Sequence, residues 1–292
     1  WDVETGSIGY TLIGHSELVM SVSITPDGRY AVSGSADKTV RVWNLISGTL
    51  LHTLNGHSES VTSVSITSDG RRVFSGSRDE TLRLWNPDSS RTVQKLRAHS
   101  ESVKAMSITS DGRRAVSGSR DFSIGVWDLD TGKLVNKLNG HSKSVNTLGI
   151  TPDSRIVVSG SEDNTIRVWD LASGETVHKL YNHSDHVEAV SITPDGRRAV
   201  SGSRDFSIGI WDLDSGKLVH NLNGHFYYVN AVCITPDTRR AVSGSGDNTL
   251  CVWDLDSESP LRILSGHSES VRAVSITPDG RRAVSASLDN TV

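Results

Sequence analysis

Seven tryptophans stand in this 292-residue chain, at Trp1, Trp43, Trp85, Trp127, Trp169, Trp211 and Trp253, each 42 residues from the next. His15, His57, His99, His141, His183, His225 and His267 keep the same spacing, and no insertion or deletion separates the copies. A fixed period of this length belongs to arrays in which each copy is one supersecondary unit that cannot bury its apolar face by itself. Stacked copies bury a shared core. The 292 residues therefore read as a single domain of repeats rather than two average domains.

Within a copy the pattern predicts four strands. The first is "SVTSVSI" (60–66), in which Val61, Val64 and Ile66 are apolar and the three-residue step signals a bulge. The turn "TPDG" follows, Pro26 presetting φ and Gly28 admitting positive φ. "RRAVSGS" (197–203), "KTVRVW" (38–43) and "GKLVHNL" (216–222) supply the other three, each β-branched or alternating. Four short antiparallel strands, seven times over, favour radial stacking, which leaves only short protected edges.

The recurrent "GH", then "SGSRD" (201–205), then "WD" (211–212) resembles the WD40 repeat across the whole chain. The resemblance implies an all-β, seven-bladed β-propeller with four antiparallel strands per blade. It also implies that the outer strand of each blade follows the next tryptophan along the chain. The chain opens on Trp1 and stops at "DNTV" (289–292), inside the third strand of the last blade. Residues 3–13 are therefore expected to supply the outer strand of that blade and close the ring. The start "WDVETGSIGY" reads as an interior piece of a longer chain, and a parent array with more repeats remains an alternative.

Ser, His and Asp recur together, as nucleophilic catalysis requires. In an antiparallel four-stranded sheet the loop carrying the His and the turn carrying the Asp lie at the same end. The resemblance implies a structural tetrad in each blade: His15, Ser33, Asp37 and Trp43; His57, Ser75, Asp79 and Trp85; His99, Ser117, Asp121 and Trp127. The next three are His141, Ser159, Asp163 and Trp169; His183, Ser201, Asp205 and Trp211; His225, Ser243, Asp247 and Trp253. The seventh, His267, Ser285 and Asp289, would borrow Trp1. Seven equal sites without loop insertions speak for structure and against an enzyme.

Other signals are weaker. "HSDH" (183–186) spends its first histidine in a tetrad, so neither metal nor cofactor is expected. Cys233 and Cys251 fall on the first and third strands of one blade, about 9–10 Å apart and too far for a disulfide. Two such cysteines suit a reducing compartment, and a cytoplasmic location is expected. The formal charge of −4 gives no electrostatic case for nucleic acid. No apolar run approaches the roughly 18 residues of a membrane span. The arginine pairs such as Arg71-Arg72 and Arg197-Arg198, offset by nearby "DLD" segments, read as a solvated mixed face.

With this frame subtracted, function is expected where the copies differ. The resemblance implies partner binding at the channel mouth, through the third and fifth residues after the histidine and the residue before the tetrad aspartate. Blades two to five place Arg78, Lys104, Arg120 and Arg204 among these positions, a charged side. Blades six, seven and one place Tyr228, Asn230, Arg272, Leu288, Leu18 and Met20 there, a mostly apolar side. One departure stands out: "HFYYV" (225–229) puts Phe226, Tyr227 and Tyr228 in a chain with only four Phe and five Tyr. Exposed Tyr and Phe are interface anchor material. The expected function is a monomeric, non-enzymatic protein- or peptide-binding scaffold. An alternative is the regulatory sensor domain of a bacterial signalling NTPase or kinase, whose arrays these repeats resemble. A glycan-binding propeller would show equivalent aromatic pockets repeated around it, and a single cluster speaks against it.

Removing residues 1–13 should leave the last blade without an outer strand and expose an edge. The shortened chain is expected to melt below the intact one and to scatter more light. An unchanged melt would refute closure by the N-terminal segment.

Overall fold

A computed structural model describes residues 11–87, 91–97, 99–277, 279–289 and 291. The described residues form strands and turns without helix, in two compact units, residues 1–139 and 140–292. Six four-stranded sheets and one two-stranded sheet appear, every pairing between sequence neighbours and antiparallel. This is consistent with a seven-bladed propeller. Blade one is Val19–Ile24, Tyr30–Ser35, Val40–Asn44 and Thr49–Leu54, here called strands a to d. Blades one to three lie in the first unit. Blades four to six, with strands a and b of blade seven (Val271–Ile276 and Ala283–Ser287), lie in the second. The expected closing strand and Trp1 fall largely or wholly outside the described residues.

The bulge expected on strand a recurs in every blade, between Val61 and Ser63 in blade two. A second irregularity, which sequence reading did not anticipate, lies between strands c and d beside each of the six described tryptophans, as at Leu84/Trp85. The "TPDG" turn closes with Gly28 N on the Thr25 carbonyl at 2.8 Å, and Thr25 Oγ1 donates to Asp27 at 2.6 Å.

The core lies between blades, not within one. Val32, Val40, Val42 and Leu54 of blade one meet Val61, Val64, Ile66, Val73 and Trp85 of blade two, all buried. Val158, Ile166, Val168 and Leu180 of blade four likewise meet Val187, Ala199 and Trp211 of blade five. Burying a side chain of this size contributes roughly 1.5–3 kcal/mol, so neighbouring blades stabilise one another. The second arginine takes part in two of the pairs. Arg72 reaches the Leu129 carbonyl at 2.9 Å and Asp130 at 2.7 Å, one blade on, and Arg198 reaches Asp256 at 2.7 Å. These are partly exposed ion pairs, which fix register more than they add stability.

The close approach of blades needs the glycine of "SGS". A Cβ at Gly160 would lie 2.5 Å from Val187 Cγ1 of the next blade. Gly160→Ala is expected to lower stability by about 1–3 kcal/mol through overpacking, measured by urea denaturation. A neutral result would refute tight contact between these blades.

Candidate functional site

In every blade the loop before strand a brings a histidine over the turn that follows strand b. His57 Nδ1 lies 2.9 Å from Asp79 Oδ2, and its Nε2 lies 2.8 Å from Ser75 Oγ. Trp85 Nε1 donates to the same Ser75 oxygen at 2.8 Å. The other five complete sets differ by a few tenths of an ångström, from His15 through His225. In blade seven His267 meets Asp289 at 2.9 Å and Ser285 at 2.8 Å, while the fourth expected member, Trp1, is outside the described residues.

Donor and acceptor counting sets the protonation. The carboxylate only accepts, so Nδ1–H donates to it, and Nε2 of the neutral ring then accepts the serine O–H. The serine oxygen accepts the indole N–H. Each group is satisfied when the histidine is neutral. Burial pushes the His57, His141 and His225 imidazoles below their usual value, against the pull of their aspartates. Burial acts to raise Asp79, but hydrogen bonds from His57, Thr81 and the Ser58 amide outweigh it and hold the carboxyl well below the carboxylate range. The hydrogen bonding resembles that of a catalytic triad, but Ser75, Ser117, Ser159, Ser201 and Ser243 are fully buried, each oxygen already holding an indole N–H. No electrophile has a path to them.

The positions that vary between blades behave differently. Leu18 and Met20 in the first unit are 76% and 44% exposed, and Arg78, Lys104 and Arg120 are exposed there too. In the second unit Leu288 and Arg272 are exposed. Asn230 is not a free polar group. Its amide donates to the Val271 carbonyl at 2.8 Å and to Ser270 Oγ at 3.1 Å, tying blade six to blade seven. Thr62 makes the same kind of link to Val103 O, at 2.6 Å.

The three aromatics of "FYY" part company. Phe226 is 85% exposed, and its amide caps Asp247 at 2.9 Å, as Ser58 caps Asp79. Tyr227 and Tyr228 turn toward blade five. Their rings lie 4.3 Å apart, and Phe206 stacks on Tyr227 at 5.9 Å and 15° and tilts against Tyr228 at 5.8 Å. The Arg204 guanidinium sits 5.5 Å from the Tyr228 ring centre and pairs with Glu188 at 2.5 Å. Within this unit the apolar and charged sets are thus not separated, because Arg204 of the charged set covers Tyr228 of the apolar one. Gly246 makes room for the cluster, since a Cβ there would lie 2.4 Å from Tyr227 Cδ1. Phe206 was missed by sequence reading. The signal was present as "DFS" in blades three and five, where the other blades carry Asn, Lys or Glu after the aspartate.

Comparison with known proteins agrees with this geometry. The family model for the WD domain, G-beta repeat, matches residues 6–44, 48–86, 90–128 and 132–170. The chain belongs to the WD40-repeat family. A second model, the NWD2 C-terminal beta-propeller, matches residues 177–292. Among curated proteins, this WD40 chain is 48% identical over 46 residues to human WD repeat and SOCS box-containing protein 1, covering 15% of the chain and 11% of that protein. It is 59% identical over 32 residues to the Ribosome biogenesis protein BOP1 homolog of Drosophila melanogaster, covering 11% and 4%. Each likeness is about one repeat long, so the chain spans only a small part of either relative. WD40 propeller domains generally mediate protein–protein interaction and are generally non-enzymatic.

The tetrads set an acid limit. An imidazole depressed in the folded state leaves the unfolded chain to bind protons first, so its stabilising share is present above 6.5 and lost as pH falls below it. The depressed aspartates act with the same sign, their share being lost below 3.8. Stability is expected to be level on the alkaline side of 6.5 and to fall in two stages on acidification. His141→Ala should lower it by about 1–3 kcal/mol at neutral pH and shrink the first stage. Denaturant titrations across pH decide this, and a stability that rises as pH falls through the first stage would refute the neutral-histidine chain.

Proposed function

We propose that this WD40 chain is a non-catalytic interaction module that docks an extended peptide or loop of a partner protein on the histidine-loop end of blades five and six. The observation that carries the reading is the aromatic cluster of Phe206, Tyr227 and Tyr228 beside Phe226. Phe226 is 85% exposed and Tyr227 and Phe206 are 47% and 39% exposed. Such rings bury large area with few rotors to immobilise, which is the profile of an interface anchor. Tyr227 and Tyr228 already brace one another through ring contact, so the surface is preorganised before any partner arrives. Asn230 and Ser270 link blade seven to blade six. Leu288, in the turn after strand b, and Arg272, near the start of strand a, belong to that linked blade, which supports their inclusion in the partner-binding set. In the first unit Leu18 and Met20, and the basic Arg78, Lys104 and Arg120, hold the corresponding exposed positions of their own blades and are further candidates for partner contact. The module acts as a monomer, needs no cofactor and works in the cytoplasm.

The control is built into the chain. Blade four carries Ser142-Lys143-Ser144 where blade six carries Phe226-Tyr227-Tyr228. Grafting Ser-Lys-Ser onto 226–228 should leave the melt within a few degrees and cost about 2 kcal/mol or more of binding, roughly thirtyfold, to a partner purified after pull-down. Arg120→Ala should change affinity little. If the graft is silent while Arg120→Ala weakens binding, the interface lies on blades two to five instead.

A further inference from the structure

Blades three and five are near-duplicates: residues 107–141 and 191–225 differ at five positions. Both place a phenylalanine in the turn after the tetrad aspartate, Phe122 at φ 72° and Phe206 at φ 74°. An L-residue in this left-handed region is disfavoured, and asparagine tolerates it best. Blades four and six carry asparagine there, and it does more than tolerate the turn. Asn164 donates to the Ser184 carbonyl at 2.9 Å, and Asn248 to the Ser268 carbonyl at 3.0 Å, each in the following blade. Phe206 therefore forgoes both the easier backbone and a hydrogen bond across blades. In return it puts a 39%-exposed ring against Tyr227 and Tyr228. A local rule broken at an exposed cluster, with Gly246 vacated to admit it, marks a recognition site rather than a packing one.

The charge around the rings selects the ligand. Arg204 is spent on Glu188 and on the face of Tyr228. Asp185 lies on the same loop as His186, its side chain 47% exposed; one oxygen accepts the His186 amide at 2.7 Å, with His186 Nε2 at 3.9 Å, and no lysine or arginine pairs with it among the described residues. Glu162 sits in the turn whose Asn164 holds Ser184, next to Asp185, and has no lysine or arginine partner among the described residues. Asp185 and Glu188 thus stand at the Tyr228 end of the cluster, Glu188 already paired with Arg204, and Glu162 lies on the turn beyond Asp185. The face of an aromatic ring is itself electronegative and attracts ammonium or guanidinium groups. The cluster already holds one guanidinium in that way, Arg204 on Tyr228. An acidic segment would meet the carboxylates unpaired.

We propose that the blade five–six cluster receives a lysine or arginine side chain of an extended peptide, its stem lying on Phe206 and Tyr227 beside Phe226 and its charge directed to Asp185. This rests on the peptide-docking reading above and adds the partner's chemistry. The amphipathic stem of a basic side chain suits rings next to a carboxylate.

A phage library of random twelve-residue peptides selected on the intact chain tests it. The expected outcome is enrichment of lysine- or arginine-bearing sequences. A synthetic selected peptide should lose about three- to thirtyfold in affinity when its basic residue becomes glutamine, and similarly with Phe206→Asn or Asp185→Asn. Phe206→Asn restores the residue that blades four and six use, so its melting temperature should hold or rise, and Phe122→Asn should leave binding unchanged. Selected peptides that are neutral or acidic yet still depend on Phe206 would overturn the basic-ligand inference and leave peptide docking standing. Selected peptides indifferent to Phe206→Asn and to the 226–228 graft would overturn the location. Failure to select any sequence would overturn peptide docking, and the inference with it.

Discussion

A four-stranded sheet of five- to seven-residue strands has two faces and too little chain to cover either, so burial between neighbouring blades is the interaction on which everything else depends. Strand b is built for it. Its "SGS" segment is narrow, and the valine at the start of the following strand a fits where a Cβ would have been, as Val187 does against Gly160. The unbroken 42-residue period follows from the same demand. A residue inserted in a strand would turn its apolar set to the wrong face and lose the neighbour's contact. Tolerance to change is left to the loops.

The tetrad consumes the polar groups that this tight stacking brings inside. Histidine, serine, aspartate and tryptophan satisfy one another in a line from the buried indole to the partly buried carboxylate, and the neutral imidazole is what lets the line close. A catalytic Ser-His-Asp set uses the same hydrogen bonds but keeps its serine open to substrate and one oxygen lone pair free. Here the tryptophan takes that place. The residues most suggestive of chemistry are thus the ones least available for it, and variation between blades is the better guide to function.

Blades five and six show what the frame permits once its own needs are met. Phe226 still caps the tetrad aspartate through its backbone, so its side chain is free to be anything, and it points to solvent. Gly246, Phe206 and Tyr227 lie on two blades and explain one another: the Phe206 and Tyr227 rings stack, and the missing side chain at Gly246 leaves room for Tyr227. Asn230 departs from no rule: it serves the same inter-blade link as Thr62, which is why its variability between copies carries less meaning than that of its neighbours.

The amino-acid sequence by itself determined the all-β architecture, the four strands of the first six copies, the bulge on strand a and, through its resemblance to the WD40 repeat, the membership of the six tetrads that lie wholly within the described residues. These rest on short-range patterning or on a spacing repeated seven times, which averages away the ambiguity of any single copy. It also marked Phe226, Tyr227 and Tyr228 as exceptional, because three aromatics in one loop break a pattern that six other copies define. Only tertiary structure decided that Phe226 stands out in solvent while Tyr227 and Tyr228 lean toward blade five onto Phe206 and Arg204. It likewise decided that Arg72 bridges to Asp130 instead of lying free on a mixed face. The physical reason is that comparing copies finds which positions vary, whereas the direction of a side chain depends on what the adjacent blade offers. That offer comes from residues some twenty to sixty positions away, such as Phe206 for Tyr227 and Asp130 for Arg72. Room for the ring came from the absence of a side chain at Gly246, which has meaning only once the two loops are in contact.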